Sequence, residues 1–223
     1  MTLEAPARTD HQIQLAVQDE LNWTSDVDAA SIGVAVDHGA VTLSGEVPTY
    51  LERLHACSAA LRVHGVRTLV DDLKVHSARS LLISENDFAE SVQTALTTGR
   101  FIPETVTAEI HGRSVVLAGE VHWDFERQSA RDALAHIPGI TNVSSMITLR
   151  ARPSAADALT RISEALVRDA TLDAGRIKAH LDGTRLTLSG TVSSWPERRA
   201  AERAAWSSPS ITHLQNDLVV SSY

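Results

Sequence analysis

One heptapeptide occurs three times in the chain. It reads VTLSGEV at Val41 to Val47, VVLAGEV at Val115 to Val121 and LTLSGTV at Leu186 to Val192. Each copy alternates apolar with small or polar residues and then meets a glycine. The glycines, Gly45, Gly119 and Gly190, stand 74 and 71 residues apart. A fixed period with the same punctuation marks tandem structural repeats. Length alone would assign 223 residues to one or two domains. The period instead predicts three small units, over residues 8–78, 84–151 and 154–223. A unit of about 70 residues has little apolar area to bury, so its neighbours should help to stabilise it.

The same order of elements can be read in each copy. In the first, Ile13, Val17 and Leu21 recur at helical spacing, with Asp10 placed as the N-cap. Ile32, Val34 and Val36 alternate as a strand, and Asp37-His38-Gly39 turns the chain into the heptapeptide strand. Pro48 and Thr49 end that strand. Leu51 to Val63 reads as a second helix with Ala56, Ala59 and Ala60 on one face, Gly65 closes it, and Leu69 to Val75 is a third strand. The second copy repeats this with Phe88, Val92 and Leu96, then Val106 to Ile110, then Phe125 to Ile137, Gly139 and Val143 to Leu149. The third shows Ile162 and Leu166, Ile177 to Leu181, Glu197 to Trp206 and Leu214 to Val220, with Ser210 in place of the helix-ending glycine. Short linkers are expected near Ser77 to Ser84 and Ala151 to Ser154.

Two strands joined by a tight turn are antiparallel, whereas a helical crossover joins parallel strands. The predicted fold class is therefore α+β: three α-β-β-α-β units, each a mixed three-stranded sheet with two helices on one face. The edges of such small sheets need cover, which packing between repeats or self-association into a homo-oligomer would supply.

These residues resemble the BON domain family. The resemblance is carried by the V-x-L-x-G-x-V strand around Gly45, Gly119 and Gly190, and by the pairs Glu52-Arg53, Glu126-Arg127 and Glu197-Arg198 at the start of the second helix. Gly65-Val66 and Gly139-Ile140 complete it, and the third copy departs at Ser210-Ile211. The resemblance implies a non-enzymatic module of this length and order that binds phospholipid or supports the envelope under osmotic stress. Many relatives are periplasmic. Here the opening MTLEAPARTD has no apolar run, so the expectation is a cytoplasmic protein, or a periplasmic one if a leader has been removed. No stretch approaches the roughly 20 apolar residues of a spanning helix.

Charge narrows the partners. The net charge is −8: residues 11–79 and 85–150 each carry nine acids against five bases, while the chain from residue 153 onward is balanced. An acidic chain is a poor general binder of nucleic acid. Arg198, Arg199 and Arg203 form the local basic cluster, flanked by Trp195 and Trp206. Arg199 and Arg203 share a helical face. These five residues are the candidate site for an anionic phospholipid surface or a protein partner. Trp123, Trp195 and Tyr50 follow the glycine strand at matching places, where they would serve a lipid interface or staple the entry to the second helix. The glycines lie outside any nucleotide-binding motif and are read as structural, allowing a bulge or a close helix–strand approach. The ten histidines show no i, i+4 pair, and Cys57 has no ligand at metal-site spacing. No catalytic residue, metal or cofactor is therefore assigned. The alternative to a lipid-binding module is a soluble protein-interaction or stress-protective scaffold that works through sheet edges and helix faces.

Overall fold

The computed structural model describes residues 8–76, 82–150, 158–168 and 174–221. The Ala151 to Ser154 linker and most of the Ser77 to Ser84 linker lie outside these residues. Repeat one comprises α1 (Asp10–Trp23), β1 (Ile32–Asp37), β2 (Ala40–Val47), α2 (Tyr50–Arg62) and β3 (Thr68–Val75). Repeat two comprises α3 (Glu85–Thr98), β4 (Thr107–His111), β5 (Ser114–Ala118), β6 (Glu120–Val121), α4 (Asp124–Ala135), β7 (Asn142–Ser145) and β8 (Thr148–Leu149). Repeat three comprises α5 (Ala158–Arg168), β9 (Ile177–Asp182), β10 (Arg185–Val192), α6 (Trp195–Trp206) and β11 (His213–Val220). The predicted α+β class and the α-β-β-α-β order hold in all three repeats. Among the described residues, no helix is long and apolar enough to cross a membrane.

The heptapeptide strand is the centre of every sheet, with orders β1-β2-β3, β4-β5-β7 and β9-β10-β11. β10 runs antiparallel to β9, with Leu188 opposite Ala179, and parallel to β11, with Leu188 beside Asn216. β5 pairs in the same two senses with β4 and β7. Alternation along the central strand sends Val41 and Leu43, Val115 and Leu117, and Leu186 and Leu188 into the cores, where each is fully buried. The predicted helical stripes face them: Ile13, Val17 and Leu21 on α1, Phe88, Val92 and Leu96 on α3, Ile162 and Leu166 on α5. Small side chains at Ala56, Ala59, Ala60, Ala130, Ala200, Ala201 and Ala205 are buried and keep the second helices close to their sheets.

Three details depart from the sequence reading. Asp10 is the first helical residue rather than the N-cap. Thr9 caps α1: the Gln12 N–H donates to Thr9 Oγ1 at 3.3 Å and the Thr9 N–H to Gln12 Oε1 at 3.0 Å. The Asp10 carboxylate instead accepts the amides of His38 (2.8 Å) and Gly39 (2.9 Å), tying α1 to the β1–β2 turn. In repeat two, the second and third strands are each interrupted, so β6 and β8 form a separate two-stranded piece. In repeat three, α6 ends at Trp206 and Ser210 is buried in the following turn, which therefore closes without a glycine.

The chain gathers into two compact units. One takes residues up to Ser44, Ala56–Asp72 and those from Ala151 onward; the other takes Gly45–His55 and Leu73–Arg150. The second unit is thus more than repeat two. Tyr50, at the start of α2, is 7% exposed and belongs to the same core as Phe88, Leu117, Leu134 and Ile140. Leu51 and Val75 pack against that core.

Candidate functional site

Helix α6 carries the five residues singled out in the sequence. Ser194 caps it, its hydroxyl accepting the Glu197 N–H at 3.3 Å. Glu197 reaches back, and its Oε2 accepts both the N–H and the hydroxyl of Ser193 at 2.6 Å. These bonds satisfy amides that the first turn of a helix leaves unpaired. Arg198 then projects onto β11. Its Nε donates to Leu218 O at 3.1 Å and its Nη2 to Asn216 O at 2.6 Å. Its guanidinium also lies 5.1 Å from the Trp195 ring centroid. Leu218 and Asn216 are two apart on the outer strand of the sheet, so Arg198 closes part of a free edge.

The five residues are therefore not one exposed face. Arg198 is engaged with backbone carbonyls. Trp195 is half-buried beneath it, its indole N–H buried without a hydrogen-bond partner among the described residues. Trp206 is half-buried against the core of repeat three. Arg199 and Arg203 are exposed, and Arg199 Nη1 donates to Ser58 Oγ at 3.1 Å. The other repeats treat the Glu-Arg pair similarly. Glu126 Oε2 accepts the N–H groups of His122 (2.8 Å) and Trp123 (3.0 Å), and Arg127 pairs with Asp124. In repeat one the Glu52 N–H donates to Thr49 Oγ1 at 3.1 Å. The glutamates of repeats two and three thus secure helix starts, and Arg198 secures a sheet edge.

The motif glycines share one backbone geometry, with φ of 124° at Gly45, 135° at Gly119 and 123° at Gly190. A Cβ at Gly119 would press into the carbonyl oxygen of Thr105, and one at Gly190 into that of Arg176. The close neighbour is thus the backbone leading into the first strand, not a helix. His38 and His111 are exposed at the hairpins, paired with Asp37 at 2.7 Å and Glu109 at 3.0 Å, and His180 lies on β9. Cys57 forms no disulfide and is of intermediate exposure.

A different surface stands out in repeat two. Phe101 follows α3 in a tight turn, holds φ at 64° and is 61% exposed. Its ring meets Phe125 edge-on, with centroids 5.7 Å apart and planes at 87°. Phe125, 51% exposed, is stacked on Trp123 at 6.4 Å. The Arg100 guanidinium lies 5.3 Å from the Phe101 centroid. Positive φ is rare for a bulky residue and marks a position worth a functional hypothesis. Trp123 was visible in the sequence through its place after the heptapeptide. Phe101 was not, because it belongs to no periodic element; the turn-forming string Gly99 to Pro103 was the available signal.

Family comparison decides what these repeats are. The BON domain model matches three times, at residues 9–77, 84–151 and 154–222. The chain belongs to the BON family. Its three BON repeats account for nearly all of its length, and BON domains are binding modules rather than catalytic ones. No curated protein matches the sequence. Among solved structures, two of CdsD, a structural protein of the type III secretion system of Chlamydia trachomatis, are similar at low level. The first, of its C-terminal domain, is 10% identical, covers 96% of this chain and 100% of its own, and has a TM-score of 0.26. The second is 10% identical, covers 94% and 92%, and has a TM-score of 0.27. Likeness this low bears on neither the fold nor the function of the BON repeats.

Proposed function

We propose that this BON protein is a non-enzymatic module that associates with phospholipid surfaces through the aromatic tip of repeat two, in a role tied to envelope or osmotic stress. The observation that carries the reading is the exposed pair Phe101 and Phe125, backed by half-buried Trp123 and with Arg100 beside it. Aromatic side chains favour the membrane–water interface, and a neighbouring guanidinium can meet lipid phosphate there. Repeat two is acidic overall, with nine acids against five bases. Apolar insertion rather than bulk charge must therefore supply the affinity. Burying the exposed parts of two phenylalanines is worth about 3 kcal/mol. Arg199 and Arg203 on α6 are exposed and offer a separate, salt-sensitive contribution toward anionic lipid.

Flotation with phosphatidylcholine vesicles, with and without phosphatidylglycerol, tests this. The chain should float, and Phe101→Ser with Phe125→Ser should reduce binding by more than tenfold at any salt concentration. Arg199→Ala with Arg203→Ala should remove only the preference for phosphatidylglycerol, and only at low salt. A chain that stays with the soluble fraction, or floats unchanged after loss of both phenylalanines, would sink the proposal. The scaffold alternative is less favoured at the β11 edge, where Arg198 already occupies the Asn216 and Leu218 carbonyls.

A further inference from the structure

At the hairpin end of repeat one, the N-terminus of α1, the β1–β2 turn and the segment after α2 line an open-sided cavity of about 310 Å³. That is the small end of the range for ligand pockets and suits one compact polar group with a few attached atoms. The buried side chain of Ile13 lines it. Two guanidinium groups, Arg8 and Arg67, and two imidazoles, His38 and His64, line it as well. This concentration of basic groups lies in a repeat where acids outnumber bases ten to five.

The one acid in the lining is already committed. Both oxygens of Asp10 accept backbone amides, from His38 and Gly39, and these bonds hold its carboxyl below the ordinary aspartate range. Asp10 thus fills the amide-lined turn as an internal anion and offsets one guanidinium. Of the two, Arg67 acts on that carboxylate through its charge. Among the described residues, no hydrogen bond or ion pair engages the Arg67 guanidinium or the His64 ring, and Arg8 makes only a long bond, 3.4 Å, to His64 O. A cation would find a poor site here. Asp10, Asp37 and His38 lie close together, but the Asp10 oxygens are taken and Asp37 and His38 already pair in solvent.

We propose that this cavity binds a small phosphate-bearing anion, held by Arg8 and Arg67 and hydrogen-bonded by His38 and His64. Guanidinium forks match the spacing of phosphate oxygens and stay charged at any physiological pH. Imidazole N–H groups add directional donors. The phosphate of a soluble monoester and that of a lipid headgroup present the same chemistry to this lining. The site does not depend on the aromatic tip of repeat two, so its failure would leave the membrane reading standing.

Titration of the full chain with inorganic phosphate and with glycerol 3-phosphate, followed by calorimetry and by the ring resonances of His38 and His64, tests the site. Saturable binding in the millimolar range or tighter is expected, with both imidazoles shifting. Arg67→Ala should weaken it at least about tenfold, and Arg67→Lys should restore part of the loss, since lysine keeps the charge without the fork. Arg131→Ala, on an exposed face of repeat two, should change nothing. Both cavity arginines are exposed, and unchanged thermal melts will show that the variants remain folded. Competition by phosphatidic acid vesicles would assign the phosphate to a headgroup; its absence would assign it to a soluble monoester. Linear, non-saturating heats with unmoved histidine resonances, or full affinity in the Arg8→Ala, Arg67→Ala double variant, would overturn the proposal.

Discussion

Gly119 and Gly112 stand seven residues apart in repeat two, and both hold positive φ, yet alanine should behave differently at each. Gly112 (φ 59°) has open space where a Cβ would go, whereas at Gly119 (φ 135°) that atom meets the Thr105 carbonyl. Gly112→Ala should therefore cost only the backbone term, about 1–2 kcal/mol. Gly119→Ala adds overpacking of about 1–3 kcal/mol. That sum is large for a unit whose whole stability is about 5 kcal/mol. Thermal melts of the two variants compare them directly, and equal shifts would show that the close approach at Gly119 carries no weight. Asp10 makes a second case. The His38 and Gly39 amides favour its charged form and lower its pKa from about 3.8. A depressed carboxyl contributes stability that is complete above its unfolded value and is lost as pH falls through the folded one. Stability measured below about pH 4 should therefore fall more steeply in the wild type than its other carboxylates predict. Asp10→Asn should flatten that part of the curve.

At the scale of elements, the start of each second helix joins a cap to a sheet edge. Glu197 holds the chain entering α6, and Arg198 holds β11 by two carbonyls. Hydrogen bonds from a charged, half-buried donor are worth about 1.5–3 kcal/mol, so Arg198→Ala should lower the stability of repeat three by about that much. Arg199→Ala, one residue on but exposed, should stay within about 0.5 kcal/mol. Urea unfolding of both variants checks the contrast, and comparable losses would mean that Arg198 is an ordinary surface residue. Periodicity had revealed the helices and strands themselves, because Ile13, Val17 and Leu21 or Val115 and Leu117 repeat at the spacing of a buried face. It could not separate Arg198 from Arg199. Their difference depends on carbonyls 18 and 20 residues away, which only the crossover to β11 brings close. The Thr9 cap was displaced by one residue for a related reason: Asp10 is an equally good cap by type, and the hairpin amides claim it. Phe101 was invisible because a left-handed aromatic in a turn follows no period.

At the scale of the whole molecule, the sequence period and the folding units do not coincide. The heptapeptides divide the chain in three, but the second compact unit includes Gly45–His55 from repeat one. Tyr50 is the main apolar contribution from that segment, buried with Phe88 and Leu134 in one core. Truncating a buried aromatic costs about 3–5 kcal/mol, and here the cost should fall on repeat two rather than on the repeat that encodes the residue. Trp123 reports on this unit alone once Trp23, Trp195 and Trp206 are replaced by phenylalanine. In that background, Tyr50→Ser should lower the urea midpoint of the Trp123 transition by an amount equivalent to about 3 kcal/mol. The slope should stay the same, since the surface exposed on unfolding barely changes. If the Trp123 midpoint does not move, repeat two is stable on its own account and the sequence period marks the true folding units. If it moves as expected, no cut at the period boundaries will release a fully stable middle repeat. A stable middle fragment must then begin near Gly45 rather than at residue 84.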